Sequence, residues 1–242
     1  MKSNLEAKDL MWTGKELLEK YRGPYGTILA DPPWRFSNRT GKVAPEHRRL
    51  NRYETMTLEE IAKLPIPEIA AKDSHLYLWV PNALILEGLE VMRKWGFKYK
   101  TNLVWYKIRK DGGPDGRGVG FYFRNVTEIV LFGIRGSLRT LAAGRRQTNV
   151  IVASKREHSR KPDQLYEIIE RCSPGPYLEL FARHKRVNWH QWGNEIELPH
   201  VNGSQKLDHQ LVRQKSKPVI MPRVQKTDQY QSALFPEGVL QD

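Results

Sequence analysis

Along the chain, short apolar runs alternate with stretches of helical period. The runs 27–30, 75–80, 102–107, 128–132, 149–152 and 177–181 are rich in Ile, Val, Leu, Tyr, Phe and Trp and are bounded by Gly, Pro, Asp or Asn. That is the pattern of buried strands. Pro162 opens a helix whose Leu165, Ile168, Ile169 and Cys172 recur on one face, and Pro81 opens another with Leu84, Ile85, Leu89 and Met92 as its stripe. A further helix is expected over 7–22, although Gly14 weakens it. Alternation of this kind predicts an α/β fold around a mainly parallel, doubly wound sheet. Beyond about Pro199 the period stops and the chain turns polar, so the expected division is a domain over 1–198 and an extended appendage over 199–242, the alternative being a segment that packs back through Leu211, Val219, Ile220 and Phe235.

Composition narrows the partners. At 242 residues the chain is long enough for one sizeable core, and it has no apolar run long enough to cross a membrane. Its first residues, MKSNLEAKDL, lack the apolar stretch of a secretory signal. Cys172 is the only cysteine, which excludes an internal disulfide and thiolate zinc clusters and fits a reducing cytoplasm. The seven histidines form no ligand-spaced cluster, so no metal is expected.

The formal charge of +13 points to a polyanion. Arg35, Arg39, Lys42, Arg48, Arg49 and Arg52 crowd one segment, and Arg135, Arg139, Arg145, Arg146, Lys155 and Arg156 another. Either cluster alone could be a solvated face. Two of them in segments read as loops beside strand ends favour a nucleic-acid path, with no basic amphipathic helix to favour a membrane.

The sequence ILADPPWRF, 28–36, carries the candidate chemistry. A predicted strand ends at Asp31, and ligands of open α/β sheets gather outside the carboxyl ends of strands. Pro32 and Pro33 fix the backbone against a helical turn, leaving the Asp31 and Pro32 carbonyls as outward acceptors beside the carboxylate. Trp34 is read as a flat apolar wall. A corner rich in acceptors beside an aromatic face suits a planar group carrying an NH₂. On its own, Asp-Pro-Pro-Trp could also be a rigid turn with a core tryptophan.

These four residues resemble the catalytic motif of the adenine-N6 methyltransferase family named after the seventy-kilodalton subunit of the mRNA adenosine methyltransferase. LNRYETMTLEEIAKLPI (50–66), HLYLWV (75–80), MRKWGFKYKTNLVWYKI (92–108), NVIVASKREHSRKPDQLYEIIERCSPG (149–175), YLELFAR (177–183) and NWHQWGNEI (188–196) are similar to further blocks of that family, in its order. The resemblance implies a Rossmann-like class I methyltransferase fold with permuted order, the catalytic motif preceding the cofactor-binding strand, and S-adenosylmethionine as cofactor. It implies catalytic roles for Asp31, Pro32, Pro33 and Trp34. It implies cofactor binding by Ser159, Lys161, Glu179, Arg183, Asn194 and Glu195, with Glu179 on the ribose hydroxyls and Lys161 near an anionic group. An FxGxG-type loop is absent after the late strand, where the chain reads Phe181-Ala182-Arg183-His184, and Glu195 stands where an amide is expected in eukaryotic relatives.

The target adenine is expected to stack near Trp34 with Tyr53 and Trp105 as further walls, while Arg35, Arg48, Arg49, Arg145 and Arg146 contact its strand. GGPDGRGVGFYF, 112–123, contains glycines but follows Lys107–Lys110 rather than feeding a helix, so it reads as a lid or substrate loop, with a plain solvent loop as the alternative, and not as a phosphate cradle. DNA is the preferred substrate, RNA the alternative, and a catalytically silent nucleic-acid-binding scaffold a third reading. A homodimer is compatible with the sequence.

Overall fold

The computed structural model describes residues 14–35, 55–116, 122–155 and 160–193. Among the described residues seven strands form one sheet: β1 (Tyr25–Ala30), β2 (Ala70–Val80), β3 (Lys98–Ile108), β4 (Thr127–Arg135), β5 (Val150–Ser154), β6 (Tyr177–Leu180) and β7 (Trp189–Trp192), in the order β5-β3-β4-β2-β1-β6-β7. The helices are α1 (Gly14–Lys20), α2 (Leu58–Ala62), α3 (Ile66–Ile69), α4 (Ile85–Lys94) and α5 (Gln164–Cys172).

All six expected strands form. The sheet is mixed: β1 pairs in parallel with β2 and β6, β6 with β7, and β3 with β5, while β4 runs antiparallel to both β2 and β3. Six strands therefore end at the edge where β4 begins. β7 was not legible as a strand, because Trp-His-Gln-Trp lacks an aliphatic run. It forms beside β6 after a left-handed turn at Asn188 (φ 66°).

Side chains alternate across the pleat, so the two faces of the sheet bury two separate cores. Ile28, Leu76, Leu78, Leu131 and Leu178 pack on one face with Leu17 of α1, Ile61 of α2 and Val91 and Met92 of α4. Leu29, Tyr77, Trp79, Val130, Trp105 and Ile151 pack on the other with Leu165, Ile168, Ile169 and Cys172 of α5, the predicted stripe. Of the stripe expected on α4, Leu84, Leu89 and Met92 all pack on the first core, Met92 fully buried and the two leucines partly so. Gly88, Val91 and Met92 are the buried positions of the helix, and Ile85 and Leu89 are half-buried. At Gly88 an added Cβ would lie 2.5 Å from Val80 and 3.1 Å from Leu131. The missing side chain lets the helix settle onto the sheet at that position.

The main chain passes from β1 to β2 through α2 and α3 on the first face, and reaches β6 from β5 through α5 on the second. Connections leave β1 and enter its neighbour β6 on opposite faces, which opens a crevice outside their carboxyl ends. The expected helix over 7–22 is described from Gly14, and an added Cβ on Gly14 would sit 2.6 Å from the Pro65 ring. The expected 199–242 appendage lies outside the described residues.

At the far edge of the sheet a buried polar knot closes the fold. His75 Nδ1 lies 2.7 Å from Ser173 Oγ, which is also 2.8 Å from the Tyr77 hydroxyl, and His75 Nε2 lies 3.3 Å from the Leu138 carbonyl. Burial holds the His75 pKa below its ordinary value of 6.5, only partly opposed by that carbonyl. The unfolded chain therefore takes up a proton that the folded one refuses, and stability falls as pH drops below about 6.5. Denaturant midpoints measured from pH 7.5 to 5 should show this loss, and His75→Gln should flatten the profile over that range.

Candidate active site

Asp31 is the first residue past β1, its N–H 3.5 Å from the Leu180 carbonyl of β6, so its half-buried carboxylate stands at the mouth of the crevice. The three residues that follow are tied down individually. Trp34 N–H donates to the Pro32 carbonyl (2.9 Å), Met56 N–H to the Pro33 carbonyl (2.9 Å) and Arg35 N–H to the Met56 carbonyl (3.1 Å). The expectation of an unengaged Pro32 carbonyl is thus corrected: one lone pair is used in a tight turn, and the second is what is left for a ligand.

Trp34 also differs from its expected role. It is 7% exposed, and its indole N–H donates to the Trp79 carbonyl at 3.0 Å. The ring is a core peg that fixes the motif to β2 and offers no open stacking face. Trp105 is 3% exposed and donates to the Ala153 carbonyl at 2.9 Å, so it is no open wall either. Both indoles are large apolar bodies with one N–H, and each is buried where that N–H finds a carbonyl.

What the tryptophans support is a row of charge. Lys161, just before α5, places Nζ 2.9 Å from Asp31 Oδ2 and 3.4 Å from Glu128 Oε2, and Lys107 Nζ lies 2.5 Å from Glu128 Oε1. The row runs carboxylate, ammonium, carboxylate, ammonium along the strand ends. Lys161 sits over the Trp79 ring at 5.0 Å and Lys107 over the Trp105 ring at 5.1 Å, and the two rings meet edge to face at 6.3 Å. Burial alone would lower the Lys161 pKa, but Asp31 and Glu128 outweigh it and hold it above the ordinary lysine value. Burial likewise works against ionised Glu128, yet Lys161 and Lys107 hold its pKa below the usual carboxylate value.

Glu179 of β6 lines the same cleft as Asp31, Lys161, Tyr166 and Arg183. Its Oε1 accepts from the Tyr166 hydroxyl at 2.7 Å, and the Arg186 guanidinium covers the Tyr166 ring at 3.8 Å while pairing with Asp163 at 2.8 Å. Burial, reinforced by the nearby Asp31 carboxylate, pushes the Glu179 pKa up to about 7. Past β6 the glycine-free turn is made by Phe181 itself, with φ 63°, an aromatic residue in the left-handed region. Such backbone costs about 1–3 kcal/mol. Phe181 is held edge-on to Trp192 at 5.4 Å, and the glycine the turn needs lies across it, since an added Cβ on Gly193 would fall 2.0 Å from the Ala182 carbonyl.

The structure thus brings together Asp31, Lys161, Glu179 and Arg183. Arg35 is exposed on the same segment, bonded to Thr55. Arg145 and Arg146 are not at this edge. They follow a turn, Ala142–Gly144, that packs on Cys172 at the far end of α5, because β4 runs backwards and delivers the β4–β5 connection to the opposite edge. Tyr53, Arg48, Arg49, Ser159, Asn194 and Glu195 lie outside the described residues. Sequence reasoning missed Lys107, Glu128, Tyr166 and Arg186. A lysine and a glutamate within otherwise apolar strands were the available signal for the first two.

The model of the MT-A70 family matches residues 25–195. The chain belongs to the MT-A70 family. It is similar to a putative N(6)-adenosine-methyltransferase MT-A70-like of Medicago truncatula, 34% identical over 178 residues that are 72% of this chain and 27% of that protein. It is 33% identical to the N(6)-adenosine-methyltransferase subunit METTL3 of Danio rerio over 183 residues, 74% of this chain and 29% of that one. It is 29% identical to the Type II methyltransferase M.MunI of a Mycoplasma species over 199 residues, 74% of this chain and 82% of that one. The MT-A70 chain therefore spans little more than a quarter of the plant and fish proteins.

MT-A70 methyltransferases use S-adenosylmethionine as methyl donor. The side chains lining the cleft fit that molecule in kind: the half-buried Glu179 carboxylate can accept from a diol, the Lys161 ammonium can pair with a carboxylate, and Trp79, Tyr166 and Phe181 line the same cleft.

The raised pKa of Glu179 carries a stability cost that is complete above pH 7 and fades toward pH 4.5, since the folded state holds the proton more tightly than the unfolded one. Glu179→Gln should therefore raise the melting temperature at pH 8.5 by roughly 5 °C, with the gain vanishing near pH 5. Calorimetry at the two pH values reads the difference.

Proposed function

We propose that the chain transfers a methyl group from S-adenosylmethionine to N6 of adenine in DNA. The observation that carries the reading is the Asp31 carboxylate held by Lys161 at the mouth of the crevice between β1 and β6. An exocyclic amine there meets the carboxylate and the remaining lone pair of the Pro32 carbonyl as two fixed acceptors. Hydrogen bonds from the amine to these acceptors draw its lone pair out of the ring and stabilise the positive charge that grows on N6 as the new bond forms. Asp31 is also placed to hold the proton that the methylated amine must shed. Lys161 orients the carboxylate and keeps it from swinging to solvent.

When bound, S-adenosylmethionine supplies a methyl group activated by its sulfonium. Glu179, Arg183 and Lys161 are the described residues we assign to holding it. Because the amine must reach into the crevice, the target base is unpaired or flipped from a duplex. Alignment at fixed acceptors accounts for the catalysis this chain supplies.

The preference for DNA rests on the likeness to the Type II methyltransferase M.MunI, whose sequence is matched over 82% of its length. RNA is the second reading, favoured by the higher identity to the adenosine methyltransferases, 33–34% against 29%. A silent scaffold is disfavoured by the complete row of charge beside Asp31.

Transfer of labelled methyl groups to matched DNA and RNA oligonucleotides tests the proposal. DNA should be methylated at adenine N6, and Asp31→Ala should lower the rate by about 100-fold or more. Methylation of RNA alone would overturn the choice of polymer, and an active Asp31→Ala would overturn the mechanism.

A further inference from the structure

The β3–β4 connection leaves the catalytic edge and returns to it, because β3 ends and β4 begins there. Near its return stand Tyr122 and Phe123, 94% and 86% exposed, followed by the exposed Arg124. Two consecutive large aromatics almost wholly in solvent are unusual in a chain whose other described tryptophans and phenylalanines are buried. The residues after them are pinned. Asn125 Oδ1 accepts from Asn82 Nδ2 at 3.4 Å, the same Nδ2 donates to Thr127 Oγ1 at 3.2 Å, and Lys107 N–H donates to the Val126 carbonyl at 2.8 Å. Glu128, which grips Lys161, comes next.

The aromatic pair therefore projects from an anchored base, five and six residues from Glu128 of the charged row, a reach of about 20 Å. That span equals a few stacked nucleotides. We propose that Tyr122 and Phe123 form a stacking platform for the unpaired bases flanking the target adenine in single-stranded DNA, with Arg124 on an adjacent phosphate. The proposal rests on the reading of the chain as a DNA methyltransferase. Flat exposed rings beside a cation suit bases and backbone together, and stacking tolerates any base because each presents a π-face. The anchored base lowers the ordering cost of capture.

The test uses the full chain and a fluorescent single-stranded DNA with one adenine, either intact or with abasic sites on both flanks. Tyr122→Ala/Phe123→Ala should weaken binding of the intact strand about 30-fold with an unchanged salt slope, while Tyr122→Trp/Phe123→Trp retains it. Arg124→Ala should instead shallow the salt slope by about one. Abasic flanks should weaken binding to the wild type but add nothing to the alanine variant. Unchanged affinity in the alanine variant, or an abasic penalty that persists in it, would overturn the platform. So would unchanged affinity accompanied by a shift in sedimentation, which would make the pair a contact between copies. The two readings fail separately. A wild type that binds the strand without methylating it removes the proposed reaction, whereas a methylating wild type with an indifferent variant removes only the platform.

Discussion

The ammonium of Lys161, bridging Asp31 at 2.9 Å and Glu128 at 3.4 Å, is the contact on which the rest of the site depends. Without it two carboxylates would face each other at the same edge of the sheet. With it, and with Lys107 on the far side of Glu128, the charges alternate and each is partly repaid for leaving water. The tryptophans beneath the lysines complete the arrangement from the apolar side. Trp79 and Trp105 give the ammonium groups a polarisable floor, and Trp34 bonds to Trp79, so the Asp-Pro-Pro-Trp motif and the charged row share one foundation.

Topology decides which residues can join that row. A strand parallel to its neighbours would have brought Glu128 to the opposite edge, since it is the second residue of β4. The reversal of β4 puts its amino end beside the carboxyl ends of the others and so supplies the second carboxylate. The same reversal carries Arg145 and Arg146 away. One feature of the fold thus adds a residue to the site and removes a basic cluster from it.

Much of this was legible in the sequence. Strands of aliphatic and aromatic residues and the α5 stripe were readable because burial on a period of two or three to four leaves a local mark. The position of Asp31 at a strand end and the family blocks through Lys161 and Glu179 were readable as motifs. Strand direction was not, because antiparallel β4 and its parallel neighbours carry the same apolar pattern. Nor was the fate of the tryptophans. An indole after two prolines can face ligand or core, and only the Trp79 carbonyl within reach of its N–H decides for the core. On α4 the close approach to Val80 and Leu131 falls at Gly88, a position whose importance lies in the atoms it lacks.

The most direct test of the claim that Lys161 and Asp31 act as one unit is a double-mutant cycle in single-turnover methyl transfer, with Lys161→Met, Asp31→Ala and the pair together. The account predicts that each single change slows transfer by about 100-fold or more and that the double variant is no slower than the slower single one. Losses that multiply, as they do for independent residues, would contradict it.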